Sequence, residues 1–187
     1  MPTPRLRIDD TVLLVVDIQE RFANSIHQWQ RLVNNSAIVC KAAKLLDLPI
    51  IVTEQSPKAL GPTVPEITAA LPAGTPIFSK TMFSSITPEV ASRLAATRRS
   101  TVLVCGIEAH VCVLQSVLDL TAAGRIPFVC TDCISAGQPS QIEPALRRME
   151  HAGAMPTGAL SSIYELLGDA THPAFKGCLE LVKHLQA

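Results

Sequence analysis

The 187-residue sequence is short of several things, and each shortage excludes something. It has no excess charge of either sign: Lys plus Arg and Asp plus Glu are 16 each, so the formal net charge is zero. Binding nucleic acid or an acidic membrane surface needs a basic excess, so neither partner is expected. No run approaches the ~20 consecutive apolar residues of a membrane span. The first ten residues, Met1 to Asp10, carry no apolar signal region, so a cytoplasmic protein is expected. There is no internal repeat, no low-complexity tract and no Gly-rich phosphate loop of the G-x-G-x-x-G or Walker type. Charged residues are only 17% against 48% hydrophobic, which excludes a disordered chain and allows a sizeable core. One domain over 1–187 is expected, and the neutral charge is compatible with self-association.

Six cysteines are present, at 40, 105, 112, 130, 133 and 178. A chain this long and apolar needs no disulfide framework, so reduced thiols are expected. Cys130-Thr131-Asp132-Cys133 is an isolated C-x-x-C. Zinc needs more ligands than that pair, and a redox pair needs an exposed helix start, so a structural role is expected.

Short β-branched runs alternate with longer amphipathic stretches. Strands are expected at 11–16, 49–53, 76–79, 101–105, 126–130 and 154–157. Helices are expected at 30–46, 88–97, 111–123, 141–152, 162–167 and 173–185, with a short helical piece ending at Leu71. Thr87-Pro88 reads as an N-cap followed by Pro at the first helical position. This alternation predicts an α/β domain with a mostly parallel sheet, in which ligands bind at the carboxyl ends of the strands.

That rule brings distant residues together. Asp17 ends the first strand, Lys80 ends the third, and Cys112 follows the fourth. The segment Val102 to Leu114 reads as a buried strand, a break at Gly106, and a helix entered near Val111. A thiol in a first helical turn can be held as thiolate by free N–H groups and the helix dipole. Lys80 would stabilise that thiolate and Asp17 would move protons.

Three segments then become specific: Leu14-Val15-Val16-Asp17-Ile18-Gln19-Glu20-Arg21-Phe22, Ser79-Lys80-Thr81-Met82-Phe83-Ser84 and Gly106-Ile107-Glu108-Ala109-His110-Val111-Cys112. They resemble the isochorismatase-like cysteine hydrolases, a superfamily that includes nicotinamidases and N-carbamoylsarcosine amidase. The stretch Thr53 to Thr63 and the His172-Pro173-Ala174-Phe175-Lys176 segment look closer to the isochorismatase-domain-containing proteins, and trypanosomatid MAR1-type proteins are similar. The resemblance implies a three-layer αβα sandwich with a six-stranded parallel sheet, and assembly into homodimers or larger homo-oligomers. It implies Cys112 as nucleophile, Asp17 as acid/base and Lys80 as thiolate partner. It implies a cis peptide between Ile107 and Glu108, with the N–H groups of Glu108 and Cys112 facing a developing oxyanion. Gln19, Phe22, Phe83 and His110 flank this site as candidate substrate contacts.

Nicotinamidases carry an Asp and several His after the second strand to bind a metal. Here Thr53-Glu54-Gln55-Ser56-Pro57 stands there and no histidine follows up to Leu71, so neither metal nor cofactor is expected. Isochorismatases proper have Gly where Cys112 stands, which argues against isochorismate. After the fifth strand the subgroup's Ser-Arg pair is replaced by Ser135-Ala136, and its later Thr-Glu-Ser by Thr157-Gly158-Ala159. The implied function is hydrolysis of a C–N bond in a small molecule through a thioester. The alternatives are a silent member acting as a binding or regulatory protein, and a thiol-based redox sensor.

Overall fold

A computed structural model describes residues 3–186, so Met1, Pro2 and Ala187 of the expected 1–187 domain lie outside the described residues. The chain runs β1 (Thr11–Val16), α1 (Trp29–Leu45), β2 (Ile50–Gln55), α2 (Pro57–Leu60), α3 (Pro65–Thr68), β3 (Ile77–Lys80), α4 (Pro88–Thr97) and β4 (Thr101–Gly106). It continues through a π-helical turn (Ala109–Val113), α5 (Leu114–Ala122), β5 (Ile126–Ile134), α6 (Ile142–His151), β6 (Met155–Thr157), α7 (Ala159–Leu167) and α8 (Phe175–Val182). All six strands are parallel, in the order β3-β2-β1-β4-β5-β6.

Burial explains why the strands read as unbroken apolar runs. Every residue of β1 is buried. Leu13 and Val15 pack into one core with residues of α1, α7 and α8. Val12, Leu14 and Val16 pack into a second with residues of α4, α5 and α6. A sheet covered on both faces needs apolar side chains in both directions, which removes the polar alternation of a half-exposed strand. The cap on α4 forms as its sequence requires, with Thr87 accepting from the Val90 N–H.

The chain starts in the middle of the sheet, moves out to β3, then returns to β4 and moves out the other way. The reversal lies between β1 and β4, where adjacent loops leave in opposite directions and open a crevice. Asp17 follows β1 directly, and the turn carrying Cys112 follows β4.

Several elements depart from expectation: α2 stands where a Pro- and Gly-containing loop was expected from Ser56 to Pro65, α3 ends at Thr68 rather than Leu71, and α7 starts at Ala159 rather than Ser162. The fifth strand extends to Ile134 rather than ending at Cys130. Val104 pairs with Val129, but Gly106 pairs with Ile134, so β5 takes up four residues where β4 takes up one. This bulge absorbs Thr131 and Asp132, the polar pair that made the strand seem to stop. The helix expected from Val111 begins instead with the wider π-helical turn, and its α-helical part starts at Leu114. Among the described residues no helix is long and apolar enough to cross a membrane.

Candidate active site

Asp17 has a left-handed backbone, φ 53°, which turns its side chain off the end of β1. Asp adopts this region more readily than most residues. Its Oδ1 accepts from the Thr53 hydroxyl at 2.8 Å, and Oδ2 lies 2.6 Å from Lys80 Nζ. Oδ2 has no hydrogen-bond partner of good angle among the described residues, so the contact with Lys80 is one of charge on charge. Both side chains are essentially excluded from water, at 0% and 1% exposure, so the pair is barely screened.

Lys80 is saturated by its surroundings. Its ammonium donates to Gln55 Oε1 at 2.8 Å, to the Phe83 carbonyl at 3.0 Å and to the Met82 carbonyl at 3.2 Å. These carbonyls fold the segment after β3 back over the ammonium. Phe83 itself is 56% exposed, so its backbone, not its ring, touches Lys80.

Cys112 is buried in the same place, and both charges act on its thiol. Burial is the main cause that pushes this thiol up to about 12, Asp17 pushes it the same way, and Lys80 opposes them. Burial and Asp17 thus oppose the thiolate expected from the sequence. Dehydration outweighs Lys80, whose charge Asp17 already balances, and Cys112 sits in a π-helical turn rather than the first turn of an α-helix. The Cys40 thiol is also pushed up to about 12, by burial first and then by Cys133. Thiols raised in the folded state favour folding fully below their unfolded value near 9, and that contribution is lost as pH rises toward 12. Thermal melting followed from pH 8 to pH 11 should therefore show stability falling above pH 9, by roughly 1–1.5 kcal/mol per thiol per pH unit. A flat profile would contradict the burial of these groups.

A second hydrogen-bonded chain was not legible in the sequence. From Asp17 it runs through Thr53 to the Ser85 hydroxyl, 3.0 Å away. The Ser85 N–H donates to Ser116 Oγ at 2.7 Å, and that hydroxyl donates to the Cys112 carbonyl at 2.6 Å. Thr53, Ser85 and Ser116 are fully buried. The chain ties the end of β1 to the turn carrying Cys112.

The turn before Cys112 contains a cis peptide between Ile107 and Glu108. The Ile107 N–H donates to the Val16 carbonyl, the Ala109 N–H donates to the Ser135 carbonyl, and Glu108 Oε2 accepts from the Gly137 N–H. The Glu108 N–H donates to no protein acceptor among the described residues. Phe22 packs on a small apolar cluster of Ile26, Leu32 and Ile107, which places it beside this turn.

Two other candidates take positions different from those the sequence suggested. Gln19 is fully buried, and its amide is used up by backbone: Nε2 donates to the Gln55 and Gly61 carbonyls, and Oε1 accepts from the Gln55 N–H. It clamps the end of β2 and presents no free group to a ligand. His110 lines a separate cleft of about 240 Å³ with Leu114, Gln141, Pro144, Ala145 and Arg148. Two residues apart on a π-helical turn is roughly half a turn, which sends His110 away from Cys112. A cavity of about 460 Å³ lies beside the ends of β2 and β3, lined by Ser56, Pro57, Lys58, Ala59, Ser79, Lys80 and Thr81. It flanks the site on the Lys80 side, and neither Asp17 nor Cys112 lines it.

The Isochorismatase domain family matches residues 11–160. The chain belongs to the isochorismatase family. Isochorismatase domain-containing protein 2 of Xenopus laevis is 41% identical over 175 residues, covering 92% of this chain and 83% of that protein. The structure of MAR1 ribonuclease from Caenorhabditis elegans matches with a TM-score of 0.93 and 38% identity, covering 96% of this chain and 93% of the other. The structure of YcaC from Pseudomonas aeruginosa, with hexane-2,5-diol and covalent acrylamide, matches with a TM-score of 0.89 and 25% identity, covering 99% and 94%. The isochorismatase family has a hydrolase-like fold, and the all-parallel sheet flanked by helices is the architecture expected of it.

Proposed function

We propose that this isochorismatase-family protein is a cysteine hydrolase that cleaves a small amide or related C–N bond. The observation that carries this is the water-excluded Asp17–Lys80 ion pair acting on the buried Cys112 thiol, at the point where the sheet reverses. With a neutral resting thiol, attack is coupled to proton transfer. Cys112 Sγ forms a bond to the substrate carbonyl carbon while its proton passes to the Asp17 carboxylate. The Glu108 and Cys112 N–H groups donate to the oxyanion. Protonated Asp17 gives its proton to the departing nitrogen, the C–N bond breaks, and a thioester remains. Water then loses a proton to Asp17 and attacks the thioester, which releases the acid and restores the thiol. Lys80 stays protonated throughout, holds Asp17 and balances the charge that passes through sulfur.

The covalent acrylamide of the P. aeruginosa YcaC structure is in keeping with a nucleophile in that relative, since acrylamide is an electrophile that nucleophiles add to at its alkene carbon. The ribonuclease named for the C. elegans structure is a competing reading. The zero net charge of this chain argues against it, because RNA binding leans on a basic surface. The burial of Cys112 argues against a redox sensor, whose cysteine needs access to solvent. Six free, buried cysteines suit a reducing compartment, and we place the protein in the cytoplasm. Exposed Met82 and Phe83 beside the site suit contact with further copies in a homo-oligomer. A panel of small primary and N-substituted amides, with RNA alongside, tests the assignment. The expected result is turnover of an amide with an acyl adduct on Cys112 by mass spectrometry. An adduct on another cysteine, or RNA cleavage alone, would overturn it.

Asp17→Asn separates charge from shape. Asn tolerates the same left-handed backbone and keeps an acceptor for Thr53. Lys80 keeps its three other acceptors but loses its counter-charge. Turnover is expected to fall about 10³-fold, from loss of the acid/base group. Stability in urea is expected to fall by about 3 kcal/mol, because a buried charge is left unpaired. Unchanged stability would mean that the two groups are not both ionised in the native protein.

A further inference from the structure

Five of the six cysteines lie on the face of the sheet opposite Cys112. Cys40, Cys105, Cys130, Cys133 and Cys178 all belong to the core formed with α1, α7 and α8, whereas Cys112 belongs to the other core. The β5 bulge brings Cys130 and Cys133 together. The two sulfurs and a carboxylate oxygen of Asp132 all lie within 4.8 Å of one another. Asp132 Oδ1 accepts from the Cys130 thiol at 3.3 Å, from the Cys133 thiol at 3.9 Å and from the Ala159 N–H at 2.8 Å. One carboxylate oxygen thus gathers two thiol protons, and both cysteines are fully buried.

We propose that Cys130, Asp132 and Cys133 form a site for one soft divalent metal ion of the zinc or cadmium type. Two thiolates and a carboxylate are a donor set that such ions accept, and three protein ligands leave a fourth position for water. The step balances as replacement: one divalent ion enters, two thiol protons leave, and both Sγ–metal bonds form without any change in oxidation state. Asp132 is the half-buried member of the three. The C-x-x-C spacing alone supplied too few ligands, and the bulge adds the carboxylate.

The test uses full-length protein carrying Cys112→Ala, which removes the thiol of the candidate active site, kept reduced with a phosphine. Cadmium chloride is added in steps. Expected are sulfur-to-cadmium charge-transfer absorption saturating at one equivalent, and two protons released per ion. An anomalous peak between the Cys130 and Cys133 sulfurs in cadmium-soaked crystals is also expected. The further change Cys130→Ala with Cys133→Ala should abolish the absorption. No absorption at stoichiometric cadmium, absorption that survives the double change, or a peak elsewhere would overturn the proposal. If the double variant fails to fold, the anomalous map of the Cys112→Ala protein decides alone.

Discussion

Cys112→Ala is expected to lower turnover of any amide the protein hydrolyses by at least about 10⁴-fold, with no acyl adduct formed. The size of the effect follows from the proposed division of labour. Asp17, Lys80 and the Glu108 N–H remain, but no other described group is placed to form the covalent bond. Residual rate would come from binding and oxyanion stabilisation of direct water attack. Folding should be little affected. The thiol is buried as a neutral group, the ion pair beneath it stays intact, and alanine suits the helical turn. A melting temperature within a few degrees of wild type is therefore expected alongside lost activity. Steady-state kinetics and calorimetry on the same preparation check both halves. An alanine variant with near-normal turnover would refute the nucleophile assignment outright.

Gly106→Ala is expected to be the most damaging small substitution in the chain. Gly106 has φ 126°, a conformation strained for any residue with a side chain. A methyl group added there would sit 2.0 Å from the Val16 carbonyl oxygen and 2.7 Å from the Val16 N and C atoms. The obstacle is the backbone of the central strand β1, which pairs with β4 at this position and cannot move aside. The Val16 carbonyl also accepts from the Ile107 N–H, so a shift would disturb the turn carrying Cys112. A loss above about 4 kcal/mol is expected, on the scale of the severest single substitutions. For a chain of this size that corresponds to roughly 8–16 °C in melting temperature, or to insoluble expression. A soluble variant melting within 3 °C of wild type would contradict the close packing of β1 against this turn.

Local signals were readable where one segment carried the whole cause. The apolar run of β1, the Thr87-Pro88 start of α4 and the helical spacing of α1 all appear where the residues suggested. Parallel strands put Asp17, Lys80 and the turn with Cys112 at one edge of the sheet, so their meeting was also readable. The roles of Gln19 and His110 were not. Neighbourhood in sequence suggested a pocket, whereas Gln19 bonds to the backbone of a neighbouring strand and His110 leaves the turn on the other side. Thr53, Ser85 and Ser116 gave no signal at all, because small hydroxyl residues acquire meaning only from what they face.

The amino-acid order by itself determined the class of the fold, the alternation of its elements and the placement of Asp17, Lys80 and the turn with Cys112 at one edge of the sheet. Those follow from hydrophobic periodicity, capping and the strand-end rule, which act over a few residues at a time. Only the tertiary structure decided the burial of the Cys112 thiol, the bulge that brings Cys130, Asp132 and Cys133 together, and the chain of hydroxyls between Asp17 and Cys112. Each depends on how much water is excluded and on which side chains meet across strands and helices far apart in sequence. Dehydration and register belong to the packed molecule as a whole, so no single segment could carry them.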